Sequence, residues 1–166
     1  VNSSLALQLL ILTACRTSEV IKAQWNEVNF NDRVWIIPNE RTKTSIVHRV
    51  PLSHGPMSIL NEMKLRQSSN FIFEGSTKGK HLSDNAILTF LKRNFPNINA
   101  VPHGFRSSSR DWAETRNAYS HRVMEYCLGH AVKNKTEAAY QRDDLLEKRY
   151  LILQEWSKYI SLSNLV

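Results

Sequence analysis

Two β-rich runs, "RVWIIP" at 33–38 and "IVHRVPL" at 46–52, interrupt a chain whose remaining patterning is helical. Branched and aromatic side chains favour extended backbone, and the polar connection "NERTKTS" between the runs reads as a hairpin. Pro38 and Pro51 end the two runs, because proline brings no donor to a ladder. "FIF" at 71–73 is expected to be a short third strand. Around this sheet the spacing predicts helices. "NSSLALQLLILTACRTSEVIKAQW" reads as two, the first capped by Ser3 or Ser4 with Leu5, Leu9 and Leu12 on one face. Thr17 is the expected cap of the second, with Glu19 in its first turn. "GPMSILNEMKLRQ" predicts another helix, and Ser83 is placed as the cap of "DNAILTFLKRNF". From Pro102 onward, helices are expected over about 103–117, 120–128, 135–141 and 144–160, with ends uncertain by ~2–4 residues. The fold class is α+β: mainly α-helical, with a small three-stranded antiparallel sheet near the front.

The 166 residues suit one domain with a single sizeable core. Hydrophobic content of 42% and charged content of 22% are globular proportions, which exclude a disordered chain. No apolar run approaches the ~20 residues of a membrane span, and no leader pattern opens the sequence. The start on Val1 is expected of a fragment, covering 1–166, cut from a longer protein. Cys15 and Cys127 lie far apart in apolar surroundings without metal-ligand spacing. They read as free buried thiols of a reducing, cytoplasmic setting. A net charge of +7 points to a polyanionic partner, of which nucleic acid is the commonest. A basic protein without such a partner is the alternative.

Several residues could do chemistry. In "HGFRSSSRDW", His103 and Arg106 are three apart at a helix start and share a face, where the helix N-terminus favours an anion. An arginine fork and an imidazole there suit a phosphate; alone, the pair reads more readily as a surface arginine and an N-terminal histidine. Arg16, between two helices, either neutralises carbonyls at the end of the first or is held by Glu19 for catalysis. Lys43 in the hairpin loop is either solvated or a flexible ammonium able to donate a proton to a bound ligand. His130 follows Gly129, a natural helix end, and so either begins a loop or joins a site. Tyr140, in "LGHAVKNKTEAAYQR", is by itself either a half-buried aromatic or a nucleophile. His48, His54 and His121 are taken as background.

Taken in order, Arg16, Lys43, His103 with Arg106, His130 and Tyr140 resemble the catalytic series of the tyrosine recombinases, the phage-integrase family. The framing segments "LLILTACRTSEV", "ERTKTSIVHRVPLS", "HGFRSSSRDWAE", "LGHAVKNKTEAAYQR" and "RYLILQEWSKYI" resemble it too, so the likeness covers essentially the whole chain. The flavour is that of P4-type prophage and genomic-island integrases, and the resemblance implies that residues 1–166 are the catalytic domain, a C-terminal fragment without the family's N-terminal DNA-binding domains. "TACRTSEV" departs slightly, since relatives often carry glycine near the alanine or cysteine.

The resemblance implies that Tyr140 attacks a DNA phosphodiester to give a 3′-phosphotyrosyl link, conserving the bond energy for rejoining without ATP. Arg16 and Arg106 would stabilise the charge growing on the phosphoryl oxygens, with Glu19 in support. Lys43 would protonate the 5′-oxygen, His103 would assist proton transfer and His130 would bind an oxygen. No cofactor or metal is implied. The implied partners are double-stranded attachment-site DNA, further copies in a tetramer, accessory DNA-bending proteins and an excisionase, with no membrane. Arg41, Arg49, Lys78, Lys80 and His81 are candidates for DNA-backbone contacts, a solvated surface being the alternative for each. The tail "LLEKRYLILQEWSKYI" is expected either to pack on its own domain or to dock on a neighbour. A type IB topoisomerase shares the constellation. A non-catalytic DNA-binding module of the same fold has no need of the nucleophile, and a metal-dependent nuclease ranks last.

Overall fold

A computed structural model of the chain describes residues 1–116, 120–130 and 144–162. Helix α1 (Asn2–Thr13) runs through the centre of the molecule. Its Leu5, Ala6, Leu7, Leu9, Leu10 and Thr13 are buried, a face wider than the stripe expected of Leu5, Leu9 and Leu12, and Gln8 remains exposed. Ser3 and Ser4 lie inside the helix rather than capping it. Ala14 ends α1 in the left-handed region, at φ 54°. The reversal leads directly into α2 (Thr17–Ile21), whose cap is Arg16 rather than Thr17.

The sheet is three-stranded and antiparallel in the order β1-β2-β3. Strand β1 (Val28–Asn29) pairs with β2 (Val34–Ile37), which pairs with β3 (His48–Pro51). The expected hairpin is therefore present, with Trp35 opposite Val50 and Ile37 opposite His48. The third strand is Val28–Asn29 and not "FIF", which contributes a single bridge from Phe71 to Gln24. Ile72 and Phe73 are buried in the core, where the Ile72 N–H donates to the Ala23 carbonyl at 2.8 Å and the Phe73 carbonyl accepts from the Leu82 N–H at 3.1 Å without the run joining the sheet. Four helices follow: α3 (His54–Leu65), α4 (Ala86–Asn94), α5 (Gly104–Glu114) and α6 (His121–Cys127). Asn85, not Ser83, occupies the cap position of α4. The last described helix, α7 (Leu146–Leu162), packs on β3, α6, α1 and α5. The tail thus lies on its own domain. The helix expected over 135–141 lies outside the described residues. Among the described residues, no helix is long and apolar enough to cross a membrane.

Two apolar clusters form the core, one between α1, the sheet, α3 and α4, the other between α5, α6 and α7. Ile11 of α1 touches both, so one helix holds the two halves together. A polar clamp secures the hairpin. The buried Glu27 carboxylate accepts from Trp35 Nε1 at 2.9 Å and from Arg41 Nε and Nη2 at 2.8 and 2.6 Å. Arg41 Nη1 also donates to the Glu19 carbonyl at 3.3 Å. The base of the β2–β3 connection is thereby tied to α2.

Replacing Glu27 with Ala would leave two buried donor groups without their acceptor. Breaking one side of a buried pair costs on the order of 3 kcal/mol, so the urea midpoint of Glu27→Ala should fall with an unchanged slope. A midpoint equal to that of the parent would show that the clamp contributes nothing.

Candidate active site

Arg106 is the centre of the site. It lies in the first turn of α5 and is 5% exposed. Its Nη1 donates to the Ala14 carbonyl at 2.5 Å and its Nη2 to the Leu128 carbonyl at 2.7 Å. Those carbonyls cap the C-terminal ends of α1 and α6, where the helix partial charge is negative. One guanidinium therefore bridges two helix ends that would otherwise leave carbonyls unsatisfied. Burial and, more weakly, the neighbouring Arg16 draw its pKa below the usual guanidinium value. Two of its five donors are engaged in this way.

Arg16 joins it from the α1–α2 junction. Glu19, fully buried, accepts from the Arg16 backbone N–H at 2.8 Å and from its Nη1 at 3.1 Å. This is the carboxylate half of a capping box, used at once to end the helix and to orient a side chain. His130 arrives by a turn. The Gly129 N–H donates to the Tyr126 carbonyl at 3.0 Å and the His130 N–H to the Glu125 carbonyl at 3.1 Å, the two bonds of a Schellman ending, with Gly129 at φ 62°. The turn sets His130 beside Glu125, whose Oε2 lies 2.5 Å from Nδ1. That contact orients the ring and leaves Nε2 for a ligand. Burial pushes the Glu125 carboxyl up, but the His130 hydrogen bond and the charges of His130, Arg110 and His121 outweigh it and lower its pKa.

The fold brings Arg16, Glu19, Arg106 and His130 into one cradle. A Cβ built on Gly129 would stand 3.4 Å from Arg16 Nη1, and the residue before it, Leu128, holds Arg106. His103 is exposed at the cap position of α5, one turn before Arg106. Lys43 is exposed in the β2–β3 connection, two residues beyond the Arg41 clamp. Tyr140 lies outside the described residues. Among the candidates for backbone contacts, Arg41 is occupied inside the protein by Glu27 and the Glu19 carbonyl. Arg49 is exposed and paired with Asp144 at 3.2 Å. Lys78 and Lys80 are exposed in a loop that Glu74 braces by accepting from the Gly79 N–H at 2.5 Å. In the same loop His81 packs edge-on against Phe71.

Two residues of this region escaped the sequence reading. His48, taken as background, points inward from β3 and is 7% exposed. Arg149, from α7, is 1% exposed and its Nη2 lies 3.2 Å from His48 Nε2. The alternation of β3, with His48 and Val50 buried and Arg49 exposed, carried the signal for His48. Nothing in the spacing of α7 marks Arg149 from the charged residues beside it, Glu147 and Lys148. Cys15, Glu19 and His48 bring one donor atom each within 4.8 Å of one another, a spacing a metal ion could bridge. Arg16, Arg106 and Arg149 all act on this spot, and burial pushes the Cys15 thiol up to about 12. A cation there would meet three guanidiniums and a protonated thiol, so the cluster belongs to an anion site.

Residues 1–146 match the phage integrase family. Over 156 residues the chain is 34% identical to the prophage integrase IntA of Escherichia coli K12, covering 93% of this chain and 38% of that protein. The integrase of Enterobacteria phage P4 is 28% identical over 180 residues, covering 98% of this chain and 41% of the relative. The chain thus spans about two fifths of the length of these curated relatives. Among solved structures, the catalytic core of lambda integrase superposes with a TM-score of 0.59 at 20% identity, covering 81% of this chain and 82% of that one. A lambda integrase tetramer bound to a Holliday junction gives 0.61 at 22% identity, covering 86% of this chain and 42% of that one. The fold is that of a tyrosine recombinase catalytic domain. The chain belongs to the phage integrase family.

Burial, then Arg149, Arg16 and Arg106, hold the His48 pKa down to about 3 from 6.5. The unfolded chain therefore takes up this proton first as pH falls. The stability that the neutral ring confers is whole above about pH 6.5 and is lost progressively toward pH 3. Melting temperature should fall between pH 7 and pH 4, and His48→Gln should show a smaller fall, about 2–4 °C less for each kcal/mol removed. Parallel pH profiles for the two proteins would contradict this account.

Proposed function

We propose that the chain is the catalytic domain of a site-specific DNA recombinase, part of a longer integrase that cleaves and rejoins DNA through Tyr140. The observation that supports this most is the cradle of Arg16, Arg106 and His130, assembled from three helix junctions. A phosphodiester seated there would meet two guanidiniums that stay charged at every physiological pH. As the tyrosine oxygen attacks, negative charge builds on the non-bridging oxygens, where fixed donors stabilise it without reorganising. His130 would add a donor from Nε2, its ring held by Glu125 at Nδ1. Lys43 would protonate the departing 5′-oxygen, its loop anchored at Arg41 but its own side chain free to move. His103 would assist the proton of Tyr140. The 5′-hydroxyl later attacks the phosphotyrosyl phosphorus, and the stored bond rejoins the strands.

The partner would be double-stranded DNA at attachment sites, for integration and excision of a prophage or genomic island in the bacterial cytoplasm. Lambda integrase, solved as a tetramer on a Holliday junction, supports a tetramer on DNA for the complete protein. Accessory DNA-bending proteins and an excisionase would complete that assembly. Arg49, Lys78, Lys80 and His81 would follow the phosphate backbone, whereas Arg41 would act through the hairpin it secures.

The test is covalent trapping in EDTA by the complete protein carrying this chain, on attachment DNA whose bridging 5′-oxygen is sulfur. A thiolate leaves without a general acid, so cleaved product accumulates. We expect a protein–DNA adduct on Tyr140 by mass, none in Tyr140→Phe, and cleavage by Lys43→Ala close to that of the parent on the sulfur substrate alone. No adduct from the parent would reduce the chain to a DNA-binding module.

A further inference from the structure

His48 and Arg149 are buried, polar and unused by the chemistry above. The imidazole has two distinct edges. At Nε2 it faces Arg149 Nη2 at 3.2 Å, and Arg149 is itself seated by the Arg49 carbonyl and by Asp144, whose carbonyl and Oδ2 lie 3.4 and 3.5 Å from Nη1. The Nε2 edge must therefore accept, which puts the ring proton on Nδ1. At the opposite edge, Nδ1 and Cε1 stand only 2.9 Å from the place a Cβ on Gly129 would occupy, and the Tyr126 carbonyl that accepts from the Gly129 N–H also acts on the ring. The ring is thus the floor on which the Gly129 turn rests, with Arg16 alongside.

We infer that His48 and Arg149 are positioning residues for the phosphate cradle, Arg149 seating the His48 ring and the ring setting the height of the Gly129 turn. This rests on the reading of that cradle as the active site. The turn controls two ligands at once, since Leu128 before it holds Arg106 by its carbonyl and His130 follows it. Displacing the floor would move both relative to Arg16. An imidazole suits the place because it accepts a guanidinium hydrogen bond while bringing no charge of its own. Arg16, Arg106 and Arg149 act on it from three elements, and Glu19 and Cys15 complete its surroundings. A phenyl ring fills the same space but removes one acceptor from Arg149, leaving it the Arg49 carbonyl and Asp144. A further consequence is topological. Arg149 belongs to α7, so the terminal helix is wired into the cradle through one side chain on β3, and its docking on this domain becomes a condition of a correctly spaced site.

The experiment compares His48→Gln, His48→Phe, Arg149→Lys and Arg149→Met with the parent in the complete protein. Cleavage rate at saturating sulfur-bridged DNA is measured separately from the DNA concentration at half-saturation, alongside melting curves. A displacement near 1 Å costs up to about 100-fold, so His48→Phe and Arg149→Met should cleave about 10- to 100-fold more slowly at saturation with half-saturation little changed. His48→Gln, which keeps an acceptor, should recover most of the rate. Folded variants that cleave at the parent rate, or losses that track melting temperature alone, overturn the inference. A second readout is independent of cleavage: the Arg106 Nε–H and His130 ring resonances of the 166-residue chain should shift in His48→Phe. Unmoved resonances would refute positioning even if the parent cleaves. Absence of cleavage by the parent, with the resonances shifted, would sink the functional reading and leave the structural coupling standing.

Discussion

The guanidinium of Arg106 holds two helix ends at once, and most of the molecule is arranged around that contact. Burying a cation costs several kcal/mol unless hydrogen bonds replace its water. Here the replacement comes from the terminal carbonyls of α1 and α6, which carry partial negative charge and need donors of their own. Each side of the contact solves the other's problem. The central α1 is thereby joined to the second apolar cluster by a polar contact as well as by Ile11.

How an arginine is answered separates structure from chemistry in this fold. Arg41 meets a carboxylate, Glu27, and the pair is neutral, which suits a clamp on the hairpin. Among the described residues, Arg106 donates to carbonyls and to no carboxylate, so its full charge remains to act on an anion. Arg149 is seated by the Arg49 carbonyl, by Asp144 and by a neutral imidazole. Arg16 is held by Glu19 through one nitrogen and keeps 16% side-chain exposure, enough to meet an incoming anion. A basic cradle survives inside a closed domain because its strongest cation is held by dipoles rather than by opposite charges. The same logic excludes a protonated His48, which would add a further positive charge where three already act.

Local patterning read the elements well wherever one contact distance decides them. The hairpin follows from alternation and from Pro38 and Pro51, and Gly129 ends α6 as its position suggested. The misses have a common cause. "FIF" satisfies strand propensity but is claimed by the core, while Val28 and Asn29, unremarkable in sequence, take the edge of the sheet. Ser3, Ser4 and Ser83 have the chemistry of caps, yet α1 begins earlier and α4 later than they would set. Propensity names what a residue can do; packing selects which of its neighbours it meets.

The sequence by itself determined the fold class, the family and the identity of the catalytic candidates, because residue type and order along the chain carry that information. Arg16, Glu19, Arg106 and His130 could each be named from their flanks. Only the tertiary structure decided that Arg106 would be gripped by Ala14 and Leu128, 92 and 22 residues away, and that Arg149 would reach His48 across 101 residues. It also decided that Arg41 would face inward. These are contacts between elements far apart in the chain, made by side chains whose composition matches many others on the surface. Periodicity assigns a face to a residue, but which helix end or ring lies opposite depends on how the whole core closes.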